Sequence, residues 1–312
     1  MNYTNIYNLP DLMIEAITSD EYERKADPNR ISVTRLIDSP LMKRLMDIHA
    51  GEMESDYSDR LWILDGKATH SAMEKINSTR WEKEYPISEE INGMTVSGRL
   101  DVFDKETGTI IDYKRTSIWS IIFQSNKIEH ENQLNVYAYL MKGAGFDVKK
   151  LEIYRFLKDW RKSEARKGDA NYPPIPFVAL PIDLWDDRKA EEYLFERVRL
   201  HKEALKMNPE EMEPCSPAER WAKPDTFAVY TKTKDGKKFK ERADRVLDTD
   251  EQAQSYIQTN QLGDSAKIEF RKGADVRCSE YCDVSQFCPY WKKKLETEAN
   301  KIVKEAENEA QD

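Results

Sequence analysis

Residues 94–103, MTVSGRLDVF, alternate between apolar and polar side chains with a period of two, the mark of a half-buried strand. Met94, Val96, Leu100 and Val102 fall on one face, and Thr95, Ser97, Arg99 and Asp101 on the other. Asp104-Lys-Glu-Thr-Gly108 is turn chemistry, and strand character resumes over TIIDYK, 109–114. Together the two runs predict a β-hairpin. A helix over 128–142 follows, apolar on most faces through Ile128, Leu134, Val136, Ala138, Leu140 and Met141, and therefore buried. Residues 150–157, KLEIYRFL, are a strand again. Upstream, 58–79 reads as a helix capped by Ser58, with a stripe of Leu61, Leu64, Ala68, Ala72 and Ile76. The order is helix, hairpin, helix, strand, so the chain mixes α and β elements, and an α/β fold is expected.

The remainder divides by composition. Residues 1–57 form a helical preface, with helix starts at Ser32-Val-Thr and Ser39-Pro40 and with Leu41, Leu45 and Ile48 on one face. The core occupies 58–180. After Tyr172-Pro-Pro-Ile-Pro176 the character changes, and 181–295 is set apart as a C-terminal lobe. It holds a charged helix over about 184–207, a hairpin-like piece turning at Asp235-Gly236, a further helix and an IEFRK strand. Residues 296–312 are a polar tail.

A chain of 312 residues has ample length to bury a core. Its 39% hydrophobic and 34% charged residues describe a soluble globular protein with a very polar surface. No apolar run approaches the roughly 20 residues of a membrane span. The first residues have neither a basic n-region nor an apolar stretch, so a cytoplasmic location without a membrane partner is expected. No Gly-rich loop ends in Lys-Ser/Thr, which excludes a P-loop ATPase or helicase.

The net charge of −9 argues weakly against a nucleic-acid partner. Its distribution softens that argument. Lys142 to Lys167 holds nine basic and four acidic residues, Glu219 to Arg245 nine and five, and Asp183 to Glu213 is acidic. An acidic molecule can still present a basic groove. The same runs could equally be solvated faces.

Asp112 and Lys114 stand two apart on a strand and so share a face, and Asp101 comes from the preceding strand of the hairpin. Such a set gathers two carboxylates and an ammonium, which is what phosphodiester hydrolysis needs. Carboxylate oxygens hold Mg²⁺ or Mn²⁺. The metal polarises the phosphate and activates water, and a lysine beside it stabilises the developing charge. Taken singly, each residue has a plainer reading. Asp112 and Lys114 could be an exposed charge patch, His70 a half-buried helix histidine, Gln133 and Tyr137 packing residues. Glu74 and Glu84 could reach the site, but they read better as surface carboxylates.

The arrangement Gly98-Arg-Leu-Asp101, then Ile111-Asp112-Tyr113-Lys114, resembles the signature of the PD-(D/E)XK nuclease superfamily. Gly66-x-x-x-His70 and Gln133-x-x-x-Tyr137 resemble further motifs of its RecB-like branch. The likeness covers roughly residues 58–157. It implies a restriction-endonuclease-like core, a mixed central sheet flanked by helices. It also implies metal ligation by His70, Asp101, Asp112 and the backbone carbonyl of Tyr113. Lys114 would be the catalytic lysine, and Gln133 and Tyr137 would orient the site or the DNA backbone.

Cys278, Cys282 and Cys288 crowd into RCSEYCDVSQFC, with three and five residues between them. In a reducing compartment, thiols this close favour a metal over disulfides. Zinc and iron–sulfur both suit thiolates. The trio resembles the end of the 4Fe–4S motif of several RecB-like nucleases, among them a subunit of bacterial helicase–nuclease complexes and a CRISPR-associated member. Those relatives have a first gap of two residues and a fourth cysteine near the N-terminus. Here the remaining cysteine is Cys215, in Pro-Cys-Ser-Pro. A cluster from Cys215, Cys278, Cys282 and Cys288 would staple the C-terminal lobe.

Nothing in the sequence reads bases, so sequence-tolerant backbone contacts with DNA are expected. Trp119, Phe123 and Trp160 are rings that could stack on bases or pack inside. The resemblance implies an exonuclease on single strands or free ends, like stand-alone enzymes of phage and prophage recombination modules, with any unwinding supplied by a helicase or recombination partner. RNA cleavage or CRISPR-adaptation-type end trimming would use the same site. Outside catalysis the alternatives are a DNA-binding scaffold of this fold and a zinc-stapled structural protein.

Overall fold

The structure, a computed structural model, describes residues 2–19, 27, 29–122 and 127–309, without the side chains of 127 and 301–309. Phe123 lies outside the described residues. The chain falls into two compact units, residues 1–211 and 212–312.

The first unit runs β1 (Asn2–Thr4), α1 (Asp11–Thr18), β2 (Arg30–Ser32), α2 (Val33–Ile37), α3 (Pro40–Ile48), β3 (Glu54–Asp56), α4 (Leu61–Glu74), β4 (Trp81–Ile91) and β5 (Met94–Asp104). It continues with β6 (Thr109–Thr116), α5 (Trp119–Ile122), α6 (Lys127–Gly143), β7 (Lys150–Leu157), α7 (Lys162–Ala165), β8 (Phe177–Ile182) and α8 (Asp187–Ala204). A six-stranded sheet is ordered β2-β5-β6-β7-β8, with β4 also paired to β5. β4–β5, β5–β6 and β7–β8 are antiparallel; β2–β5 and β6–β7 are parallel. The sheet is therefore mixed, and α6 makes the crossover that a parallel β6–β7 pair requires.

One detail of the pairing positions the site. β4 follows β5 along its whole length, so β2 and β6 must share the other edge. β2 takes residues 95–97 and β6 takes 102–104. Residues 98–101 are left between them with no strand alongside on that edge.

The core clusters Leu100, Ile110 and Ile153 of the sheet with Leu134, Tyr137 and Met141 of α6. Ile128, expected inside, is exposed, because full burial along α6 begins at Leu134. α8 buries a helical stripe of Ala190, Leu194, Val198 and His201, and Leu194 and Val198 join the same core. That charged helix therefore belongs to the first unit rather than to the C-terminal lobe. α4 has no fully buried residue. It packs against α1 and β6, which leaves Ala68 and Ala72 of its expected stripe exposed. Ser58 does not cap it; Ser58 lies in a 3₁₀ turn capped by Asp56, whose carboxylate accepts the Ser58 N–H at 2.9 Å. The N-terminal preface is helical as expected, but Arg30–Ser32 also adds a strand to the central sheet.

The second unit contains β9 (Ala222–Lys223), β10 (Thr226–Thr231), β11 (Arg245–Leu247), α9 (Asp250–Thr259), β12 (Ala266–Arg271), β13 (Ala274–Asp275) and α10 (Pro289–Glu309). β11-β10-β12 form an antiparallel sheet, and β9 pairs with β13. The Asp235-Gly236 turn closes only a single bridge, Lys232 to Phe239. No helix of the described residues is long and apolar enough to cross a membrane.

Candidate active site

The unpaired stretch of β5 ends at Asp101. Where β6 leaves the ladder, the backbone N–H of Tyr113 would lose its partner on that side. The Asp101 carboxylate takes it instead, accepting at 2.8 Å. Buried peptide groups demand such a partner, so the splay and the carboxylate come together.

Glu84 lies across from Asp101 on β4, where the register steps from Lys83↔Val102 to Tyr85↔Leu100. Its φ is 46°, a left-handed conformation that costs a non-glycine residue about 1–2 kcal/mol. Strain of this kind gathers at functional sites. Here Glu84 accepts from His70 of α4, Oε1 to Nδ1 at 2.8 Å, and His70 Nδ1 is 3.8 Å from Asp101 Oδ1. His70, Glu84 and Asp101 each offer one ligand atom within 4.8 Å of the others. Glu84 is thus a site residue that the sequence reading set aside as a surface carboxylate. Nothing in KEY marks a glutamate that will turn left-handed in mid-strand.

Asp112 and Lys114 of β6 point to the same side, as their spacing requires. Lys114 Nζ donates to Asp112 Oδ1 at 3.0 Å, and Gln133 Nε2 of α6 reaches the same oxygen at 3.4 Å. Asp112 Oδ2 lies 2.8 Å from the ammonium but off hydrogen-bonding geometry, so among the described residues this buried oxygen has no hydrogen-bond partner. One turn beyond Gln133, the Tyr137 hydroxyl donates to the Arg99 carbonyl at 3.1 Å, on the bare edge of β5. Gly98 makes room for that ring: a Cβ there would lie 2.6 Å from the Tyr137 hydroxyl oxygen. The Gly-x-x-Asp and Gln-x-x-x-Tyr motifs are therefore two halves of one contact.

The next turn of α6 back brings His130 to Arg155 of β7, Nδ1 to Nη2 at 3.3 Å. Arg155 is the strand neighbour of Lys114. It is buried, it donates to the Ser120 carbonyl at 3.2 Å, and its Nε has no partner among the described residues. Burial, then the charges of Lys114 and Arg155, depress the His130 pKa to about 4, so its ring is neutral. Neither residue stood out in the sequence.

The electrostatics describe a pocket short of positive charge. Burial first, then the negative charge of Asp112, pushes the Asp101 carboxyl up to about 7, against the pull of His70 and the Tyr113 N–H. The hydrogen bond to Glu84 raises the His70 pKa, against burial. Burial would lower the Lys114 pKa, but the Asp112 carboxylate beside it more than offsets this, so Lys114 stays an ammonium rather than a base. Repelling buried carboxylates, one with an orphaned oxygen, fit a divalent cation held by hard ligands.

A family model for the PD-(D/E)XK nuclease superfamily matches residues 19–289. The chain belongs to that superfamily. Among solved structures it is similar to SSO0001, with 18% identity and a TM-score of 0.41 over 61% of this chain and 85% of that one. It is also similar to a phage related exonuclease from Haemophilus somnus 129PT, with 14% identity and a TM-score of 0.33 over 62% and 90%. Neither likeness bears on activity. Comparison with curated proteins found no match.

PD-(D/E)XK nucleases use divalent metals, and the side chains that would hold one here are His70, Glu84, Asp101 and Asp112. A bound divalent cation supplies Lewis acidity to the phosphate and lowers the pKa of a bound water. Lys114 keeps a fixed positive charge beside that place, suited to the charge that grows on phosphorus oxygens. Gln133 and Tyr137 contact Asp112 and the β5 edge. Trp160, half-buried, spends its indole N–H on the Pro173 carbonyl at 2.8 Å, whereas Trp119 is exposed.

Proposed function

We propose that this protein is a deoxyribonuclease working as an exonuclease on single-stranded or free-ended DNA, with Mg²⁺ or Mn²⁺ at the site. In this reading His70, Glu84, Asp101, Asp112 and the Tyr113 carbonyl ligate metal, Lys114 is catalytic, and Gln133 and Tyr137 position the site. The observation that carries it is the buried, orphaned Asp112 oxygen beside the Lys114 ammonium. DNA is held by sequence-tolerant backbone contacts, the protein works in the cytoplasm, and a helicase or recombination partner supplies any unwinding. The intact Asp101, Asp112 and Lys114 set argues against a non-catalytic scaffold. The test is digestion of end-labelled single-stranded DNA with Mn²⁺. Product release that EDTA stops and Lys114→Ala abolishes supports the reading; undiminished cutting by Lys114→Ala overturns it. RNA run in parallel decides between DNA and RNA.

The second unit adds a cysteine centre to this proposal. Among the described residues, Cys215, Cys278, Cys282 and Cys288 form no disulfide. Burial first, then the neighbouring thiols Cys282, Cys215 and Cys288 together with Asp275, pushes the Cys278 pKa up to about 12. Four soft donors that feel one another electrostatically are the ligand set a 4Fe–4S cluster would use, with zinc as the alternative, but among the described residues only His70, Glu84 and Asp101 already bring their ligand atoms within 4.8 Å. A brown, iron-bearing protein after anaerobic purification supports the cluster. A colourless protein with bound zinc assigns the thiols to zinc.

A further inference from the structure

We infer that Trp62, Lys158 and Trp119 form a stacking platform for unpaired bases of the strand whose phosphate lies at the active site, an inference that rests on the nuclease reading above. Trp62 of α4 is 70% exposed and Trp119 of α5 is 57% exposed. Rings this exposed contribute little to the core, and exposed aromatic faces are what unpaired bases stack on.

The Trp62 indole and the turn that carries Trp119 flank one corner, where β7 ends. The Lys158 N–H donates to the Thr116 carbonyl at 2.9 Å, and the Lys158 ammonium stands 4.6 Å from the centre of the Trp62 ring. Asp159, the next residue, accepts from Ser117 Oγ at 2.6 Å and from the Ile118 N–H at 2.7 Å. Those bonds fix the turn that carries Trp119. Asp65, close to one turn after Trp62, pairs with Arg115 at 2.8 Å and with Lys158 at 3.6 Å. Two cations and the Trp62 indole thus occupy one patch beside the turn that carries Trp119, anchored by two aspartates.

The patch adjoins the chemistry. Arg115, on the opposite face of β6 from Lys114, pairs with Asp65 of α4, and Trp62 precedes His70 by about two turns of that helix, roughly 12 Å along the axis. A single strand crossing the site can reach it. Ammonium and guanidinium groups suit the phosphates, and flat rings suit the faces of bases. Bases in a duplex are stacked on each other and cannot offer those faces. The platform therefore selects unpaired nucleotides without reading their identity.

The experiment is an anisotropy titration of the full chain with fluorescein-labelled oligothymidylate, beside a blunt hairpin duplex, without divalent metal. Trp62→Ala should weaken oligothymidylate binding about tenfold and Trp119→Ala severalfold, with duplex binding changed less than about twofold. Trp62→Phe, which keeps a ring, should restore most of the affinity. Hydrolysis of thymidine 5′-p-nitrophenyl phosphate, too small to reach the patch, should be the same in Trp62→Ala and wild type. Unchanged oligothymidylate affinity in both alanine variants, or equal loss on single strand and duplex, overturns the platform. If the wild type hydrolyses neither the small diester nor DNA, the nuclease reading fails, and the titration alone still decides the platform.

Discussion

Asp112 in the first unit and Asp275 in the second are equally buried, each with 4% of its surface exposed, and their surroundings are opposite. Asp275 accepts from Arg220 at 3.2 Å, from the Tyr290 hydroxyl at 2.8 Å and from Lys294 at 2.7 Å. Arg220 also stacks on Tyr290 and donates to the Cys215 carbonyl. Burial pushes the Asp275 carboxyl up, but these three partners more than reverse the shift. Asp112 has Lys114 and a long contact from Gln133, and one of its oxygens is left over. It also raises the pKa of its neighbour Asp101. A buried carboxylate whose oxygens are all used is part of the frame. One left short is part of a site that something else must complete.

That contrast can be broken by substitution, and the largest effect belongs to Asp112. Asp112→Asn should lower cleavage by about a thousandfold or more, since the charge that holds metal is gone. Its melting temperature should fall less than that of Asp275→Asn, because relief of the repulsion with Asp101 offsets part of what Lys114 loses with its anion. A folded Asp112→Asn enzyme of near-normal rate, or one that unfolds, would erase the distinction. Asp275→Asn should do the reverse, costing about 3 kcal/mol of stability as Lys294 and Arg220 lose their buried anion. Chemical denaturation reads this directly, and an unchanged midpoint would mean that the hub carries no load.

Gly98→Ala is subtler. The new methyl group meets the Tyr137 hydroxyl at 2.6 Å, so the ring must leave the Arg99 carbonyl. A stability loss of about 1–3 kcal/mol is expected, with a roughly tenfold drop in rate checked on the same preparation. Full activity would show that the Tyr137 contact is not needed.

The smallest effect is on pH dependence. Asp101 has its pKa raised to about 7, against about 3.9 when unfolded. Between those values the folded protein holds a proton that the unfolded chain has released, so metal-free stability falls as pH rises across that window. The raised pKa of His70 acts in the same sense. Asp275, shifted down, contributes stability above its unfolded pKa that is lost as pH falls. Asp101→Asn should flatten the decline between about pH 4 and 7, and denaturation midpoints across that range would show whether it does.

Much of this was legible in the sequence for a physical reason. The period-two pattern of 94–103 fixes which face Asp101 takes, and the two-residue step fixes Asp112 beside Lys114. The 3.6-residue period puts Gln133 and Tyr137 on one side of α6. Local periodicity carries no information about what lies across a sheet. Glu84 joins the site through a left-handed φ opposite Asp101, Arg155 through register with Lys114, and Gly98 through a ring arriving from α6. Each depends on residues distant in the chain. The burial expected along α4 failed for a related reason: a helical stripe shows that a helix has an apolar side, not how much surface its neighbours will cover.

The most direct test of the account is a calorimetric titration of DNA-free protein with Mn²⁺, comparing wild type with Asp101→Asn and Glu84→Gln in two buffers of different ionisation enthalpy. Saturable binding by the wild type with proton release, weakened in both variants, is the expected result, because His70 and Asp101 must give up protons to bind metal. No saturable uptake by the wild type, or equal uptake by all three proteins, would contradict the claim that these buried carboxylates form a metal site.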